Sequence, residues 1–173
     1  ANEEEMYAQN WEQSVNYQSL NGNWKFKYVE RPADISEETW LPITDDSQWP
    51  TMKVPGNWEL NGYGFPIYTT SGFEFSYLLP EKRANPPFIP MQFNPTGLYR
   101  KEVELSPNWK GKQIVLHIGA TKSNLMVWVN GQYVGYGIDS KLASEFDITS
   151  YLKPGKNLIA LKVNRWEVSN YLE

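Results

Sequence analysis

Apolar and polar residues alternate along most of this chain in short stretches set apart by turn-forming residues, the period of half-buried β-strands. Trp24-Lys25-Phe26-Lys27-Tyr28 is the plainest case. From Leu98 to Leu105, Tyr99, Val103 and Leu105 fall on one face and Arg100, Glu102 and Glu104 on the other, with Lys101 out of pattern. Ile114, Leu116 and Ile118 share a face of the segment from Gln113 to Ile118. The stretch from Asn124 to Tyr136 predicts a hairpin closing at Asn130-Gly131, a pair suited to the positive φ values of a type I′ turn. Leu158 to Val163 ends the series, after a turn at Pro154-Gly155. Helix is scarce. Ser36 to Trp40 predicts a single turn capped by Ser36, and Ser144 to Asp147 reads as the entry to a strand or a short turn. Short strands at close intervals predict an all-β sandwich or barrel, without internal repeat or second domain.

One stretch departs from this alternation. Between Gly62 and Arg100 six prolines fall from Pro66 to Pro95, interleaved with Tyr68, Phe73, Phe75, Tyr77, Phe88 and Phe93. Each proline fixes its own φ and holds the preceding residue extended. The aromatic content argues against disorder, and a long, stiff, ordered loop is usually a functional one.

Composition narrows the classes. A chain of 173 residues supports one domain with a sizeable core. The net charge of −4 speaks against nucleic acid or an anionic membrane as partner. Its one charge run, Glu3-Glu4-Glu5, reads as a solvated start. Cysteine is absent, so disulfides and thiolate metal sites are excluded. No apolar run reaches the roughly 18 residues of a spanning helix. Aromatic residues make up 15% of the chain, and such rings serve cores and sugar stacking alike, so each needs its own argument.

Several collinear blocks carry a resemblance: Ser19-Leu20-Asn21-Gly22-Asn23-Trp24-Lys25-Phe26, Val54-Pro55-Gly56-Asn57-Trp58, Asn85-Pro86-Pro87-Phe88, Asn94-Pro95-Thr96-Gly97, Gly135-Tyr136-Gly137-Ile138-Asp139-Ser140, Ser144-Glu145-Phe146-Asp147-Ile148, Arg165-Trp166 and Tyr171-Leu172-Glu173. Together they resemble the N-terminal sugar-binding domain of bacterial β-galactosidases of glycoside hydrolase family 2. The resemblance implies a jelly-roll β-sandwich of two antiparallel sheets, like galactose-binding domains, over residues 19–173 after a lead over residues 1–18. It implies a larger parent enzyme that hydrolyses terminal β-D-galactosides with retention, its acid/base and nucleophile glutamates lying on a downstream TIM-barrel domain. This chain would then hold no catalytic residue and no cofactor, and would be inactive alone, while the parent family suggests magnesium and sodium. Galactoside reaches it through the whole enzyme, the barrel is its neighbour, and a homo-oligomer is compatible; cytoplasm and periplasm both stay open. Relatives continue after Tyr-Leu-Glu into an acidic stretch, an aspartate of which helps form the galactose and sodium region, whereas this sequence stops at Glu173. Glu167 to Asn170 differ from the commoner Ser-Asp-Gly-Ser, and the lead is short, so both ends read as cut. Two other classes remain: a free-standing carbohydrate-binding module, and an interaction domain that seats the barrel.

Among candidate site residues, Asn94 comes first. Asn94-Pro95-Thr96-Gly97 has the composition of a type I turn, while the resemblance implies that this asparagine contacts the galactosyl unit, its amide offering both donor and acceptor to a hydroxyl. Trp58 and Tyr68 could stack on a sugar, but loop anchoring against the sandwich suits them better, and Pro95 stiffens the loop beside Asn94. Tyr63, Phe65, Phe88 and Phe93 read as packing residues. Asp139, Glu145 and Asp147 invite comparison with the carboxylate pair of a glycosidase, yet turn chemistry and solvated pairing explain them, as the resemblance also implies. His117 falls on the polar face of its strand. A lone histidine without cysteine cannot supply a usual zinc set, and no Gly-x-Ser-x-Gly elbow accompanies it for nucleophilic catalysis.

Overall fold

The computed structural model describes residues 11–70, 72–78 and 86–172. Glu3 to Glu5, Asn85 and Glu173 lie outside the described residues. Eight strands follow one another: β1 (Gly22–Val29), β2 (Thr51–Val54), β3 (Thr96–Glu104), β4 (Val115–Ile118), β5 (Asn124–Val129), β6 (Gln132–Gly137), β7 (Ser144–Asp147) and β8 (Lys156–Asn164). The only helical pieces among the described residues are 3₁₀ turns of three or four residues. One sheet has the order β2-β1-β3-β8-β5-β6 and the other pairs β4 with β7. Every pairing is antiparallel. The all-β jelly-roll sandwich expected from the sequence is the fold observed.

The core lies between the two sheets. Trp24, Phe26, Val103, Leu125, Val127, Val129, Ile159, Leu161 and Val163 face inwards from the large sheet, and Leu116 and Ile148 face them from the small sheet's side. Leu125, Val127 and Val129 are fully buried, each worth about 1.5–3 kcal/mol as area withdrawn from water. β3 and β8 pair along their whole length, Thr96 opposite Asn164 to Glu104 opposite Lys156, and form the spine of the large sheet.

Local chemistry explains the elements. Asn130 and Gly131, at φ 52° and 83°, turn β5 into β6 as their sequence predicts. The Asn130 amide holds the turn down, donating to Tyr151 O and Asn157 Oδ1 (both 2.8 Å) and accepting from Leu158 N (3.0 Å). Ser36 caps the turn Glu37–Trp40, accepting from Glu38 N. Lys101, out of pattern in the sequence, keeps its inward position at the sheet margin by laying its stem over Trp24 and donating to Asn23 O (3.0 Å). Arg100 points the other way, yet is only 3% exposed, because residues 36–48 fold over it. Its guanidinium donates to the carbonyls of Thr39, Leu41 and Thr44 and pairs with Asp46 (2.7 Å). Beside that strap Trp40 stacks flat on Trp128 of β5, centroids 4.0 Å apart and planes 5° from parallel.

Candidate functional site

The proline-rich stretch sits where β3 begins and β8 ends. Asn94 joins three chain segments there. Its backbone N–H donates to Glu30 O beyond β1 (2.8 Å), its Nδ2 donates to Trp166 O beyond β8 (2.9 Å), and its Oδ1 accepts from Trp166 N (3.1 Å). Pro95, fully buried, accepts at its carbonyl from Arg165 N (2.8 Å). The expected type I turn over Asn94–Gly97 does not form. Thr96 and Gly97 are strand residues, opposite Val29 and Tyr28 on one side and Asn164 and Val163 on the other. Two strand neighbours claim the backbone groups that a turn would need. At 2% exposure, Asn94 directs both amide atoms at the chain's own backbone.

The aromatic candidates divide. Trp58 is 6% exposed, donates from Nε1 to Glu59 (2.7 Å) and meets Tyr28 edge-on. Its ring covers Gly97, where a Cβ would come within 2.6 Å of a ring carbon. Trp58 therefore anchors, as the sequence suggests. Tyr68 does not: at 90% exposure its ring stands in solvent. The anchoring expected of it is carried by Phe65, which stacks on Phe93 (6.2 Å, 15°) and whose carbonyl accepts from Arg165 Nη1 (2.9 Å). Beneath runs an aromatic seam in which Phe93 and Phe75 both meet Trp166, and Tyr171 meets Phe73 and Phe75. Tyr171 also donates to Phe88 O (2.6 Å). Tyr63 packs edge-on against Phe26 (4.9 Å, 70°).

An ionic cluster secures the exposed segment. Arg165, nearly buried, lies between Glu59 (3.2 Å) and Glu74 (3.5 Å) and over the face of Trp166 (5.5 Å). Glu74 also binds Lys122 and accepts from Trp166 Nε1 (3.2 Å). Partial burial pushes the Glu74 carboxyl up, but hydrogen bonds from Lys122 and Trp166 and the charges of Lys122 and Arg165 outweigh it, and the net shift is downwards. A general acid needs the opposite shift. The cluster ties Phe65, Glu59 and Glu74 to the end of β8 through Arg165. Sequence reading passed over it, though a charged residue directly after the apolar run of β8 was the available signal.

The other carboxylates have local partners. Glu145 pairs with His117 at the surface (3.0 Å). Asp147 is held low by the Thr149 hydroxyl, the Thr149 N–H and Gln113. The Asp139 carbonyl closes a turn to Leu142 N (3.1 Å). No group of three or more His, Asp or Glu among the described residues could hold a metal ion. None of the described residues forms a helix long and apolar enough to cross a membrane.

Comparison with known proteins fixes what class of protein this fold and cluster belong to. The sequence profile of the glycosyl hydrolases family 2 sugar-binding domain matches residues 17–173, and the chain belongs to that family. It is 36% identical to a beta-galactosidase of Priestia megaterium over 98% of its own length and 16% of the relative's. With a beta-galactosidase of Vibrio vulnificus it shares 41% identity, over 90% of this chain and 14% of that one. A solved glycosyl hydrolase family 2 member from Bacteroides cellulosilyticus superposes with TM-score 0.60 at 26% identity, over 88% of this chain and 18% of that one. A Bacteroides uniformis beta-glucuronidase gives the same TM-score of 0.60 at 24% identity, over 86% and 14%, a likeness of fold alone. The chain thus spans about one-seventh of the length of the curated relatives that it matches.

Proposed function

We propose that this chain is the sugar-binding domain of a larger retaining β-galactosidase and supplies part of the wall of its active site. The observation that carries the reading is identity of 36–41% to proteins named beta-galactosidase across nine-tenths or more of the chain. Likeness to solved beta-glucuronidases is lower, at 20–26%. The exposed stretch around Tyr68, held from beneath by Arg165 and the aromatic seam, is the part of this domain offered to substrate. Asn94 serves that wall by positioning, its backbone N–H joined to Glu30 beyond β1 and its side-chain amide to Trp166 beyond β8. Acid/base and nucleophilic steps belong to glutamates of a barrel elsewhere in the parent.

The isolated chain is expected to leave a chromogenic β-galactoside intact while the intact parent cleaves it and leaves the matching β-glucuronide. Turnover by the isolated chain, after controls for contamination, overturns the assignment. So does a parent that prefers the glucuronide. Tyr68→Ala in the intact enzyme should raise KM for the galactoside about two- to tenfold with the fold unchanged. Millimolar or tighter binding of lactose to the isolated chain by calorimetry would instead make it a self-sufficient binding module.

A further inference from the structure

The outer face of the large sheet carries one row of side chains across five strands. Lys27 of β1, Leu98 of β3, Lys162 of β8, Met126 of β5 and Tyr136 of β6 are successive cross-strand partners. Their chain neighbours Phe26, Tyr99, Val163 and Leu125 pack into the core, so alternation turns this row away from it. The adjacent row holds Arg100, Ala160, Trp128 and Tyr133. The strap of residues 36–48 covers Arg100 and, through Trp40, the ring of Trp128. Tyr133, edge-on to Trp128 (5.4 Å), stays 49% exposed, and Tyr136 61%.

Lys162, at the centre of the row, is half-buried, and its ammonium has no hydrogen bond or ion pair with any described residue. Neighbouring cations differ: Arg100 has Asp46, Lys156 has Glu102, and Arg165 has Glu59 and Glu74. Burial pushes the Lys162 amine below the ordinary lysine value, and no charged group offsets the shift. The row itself contains two lysines and no acid. Asn124, the diagonal neighbour of Lys162 across β5 and β8, is 7% exposed with its Oδ1 unpaired. Polar groups withdrawn from water are ordinarily paired. Here two unpaired ones adjoin two exposed tyrosines.

We propose that this face docks a segment of the parent polypeptide carrying an Asp or Glu. Its carboxylate pairs with the Lys162 ammonium, and apolar side chains beside it cover Met126, Tyr133 and Tyr136. Charge selects the acid, because a neutral segment or a neutral sugar would bury the cation unpaired. Tyrosine and methionine are enriched in the cores of protein interfaces. This chain covers 14–16% of its relatives, whose polypeptides have ample sequence to supply the segment. The inference rests on the reading above, that the chain is a domain of a longer glycosidase.

Two measurements test it, each on the isolated chain and on the intact parent. Acylation of Lys162 by a water-soluble amine reagent, read by mass spectrometry, should be at least about tenfold slower in the parent. Lys162→Met keeps most of the stem and removes the charge. It should hold or raise the thermal midpoint of the isolated chain, which sheds an unpaired cation. In the parent it strands the carboxylate and should lower the midpoint by about 2 °C or more. Equal acylation in the two proteins overturns the proposal, as does a midpoint shift of the same sign in both. Protection that accompanies dimerisation of the isolated chain in sedimentation overturns it in favour of a second copy. Chemical-shift changes at Tyr133 and Tyr136 of the isolated chain with galacturonate overturn it in favour of an acidic sugar. A parent without galactosidase activity but with a protected Lys162 refutes the functional reading and leaves docking standing; an active parent with a freely acylated Lys162 does the reverse.

Discussion

At Asn94 one residue ties together three segments, through its backbone N–H to Glu30 and its side-chain amide to Trp166. Replacing it with alanine leaves the N–H and carbonyl of Trp166 without their partner in a buried position. Asn94→Ala should therefore cost about 2–4 kcal/mol in urea denaturation. Glu74 sets the pH response of the neighbouring cluster. Its carboxyl is held below its ordinary value of 4.5, so its ion pairs stabilise the fold above that pH and cease to do so as the pH falls through the lowered value. The stability difference between wild type and Glu74→Gln should be largest near neutrality and vanish in acid. A difference independent of pH would remove the carboxylate from the account. The sequence marks Asn94 as special but not the backbone it holds, because its amide partner lies 72 residues away. Tyr68 was misjudged for a related reason: nothing in Pro66-Ile67-Tyr68 tells which ring is pinned, and the pin is Phe65, fixed by Arg165 from the far end of β8.

At the level of elements the sequence was more legible. β1, β3, β4, β5, β6 and β8 all appear where alternation placed them, and Asn130-Gly131 closes the hairpin as its φ preferences require. The strand β2 is hidden between Pro50 and Pro55, which read as loop, and β7 offers only one apolar residue, Phe146, to alternation. Arg100 shows what alternation cannot reveal. It occupies the polar face of β3, as read, but a strap from residues 36–48 buries that face, and no local pattern announces a strap. Arg100→Ala should cost about 3 kcal/mol and open residues 41–48 to limited proteolysis, with the hairpin unaffected. Asn130→Ala should cost about 2 kcal/mol and act on the β5–β6 turn, leaving the strap resistant to protease. Reversal of the two proteolysis patterns would show that the elements are not held as described.

For the whole molecule, family and fold were legible because the blocks that carry the resemblance are also the blocks that close the sandwich. Asn94-Pro95-Thr96-Gly97 enters the central strand, and Arg165-Trp166 leaves the strand beside it. Val103→Ala, where Val103 borders the large cleft between the sheets, should cost the isolated chain less than the same change at Val127, which is fully buried away from it. Equal losses in thermal or urea unfolding would mean that the cleft is as tightly filled as the rest.

The parallel indoles of Trp40 and Trp128 lie close enough for their excited states to couple. One belongs to the strap and the other to the sheet, so the coupling exists only while the strap is down. Circular dichroism should carry an exciton couplet that disappears when Arg100 is replaced, before the sheet itself melts. The protein thus contains its own optical gauge of strap closure, readable without any added dye.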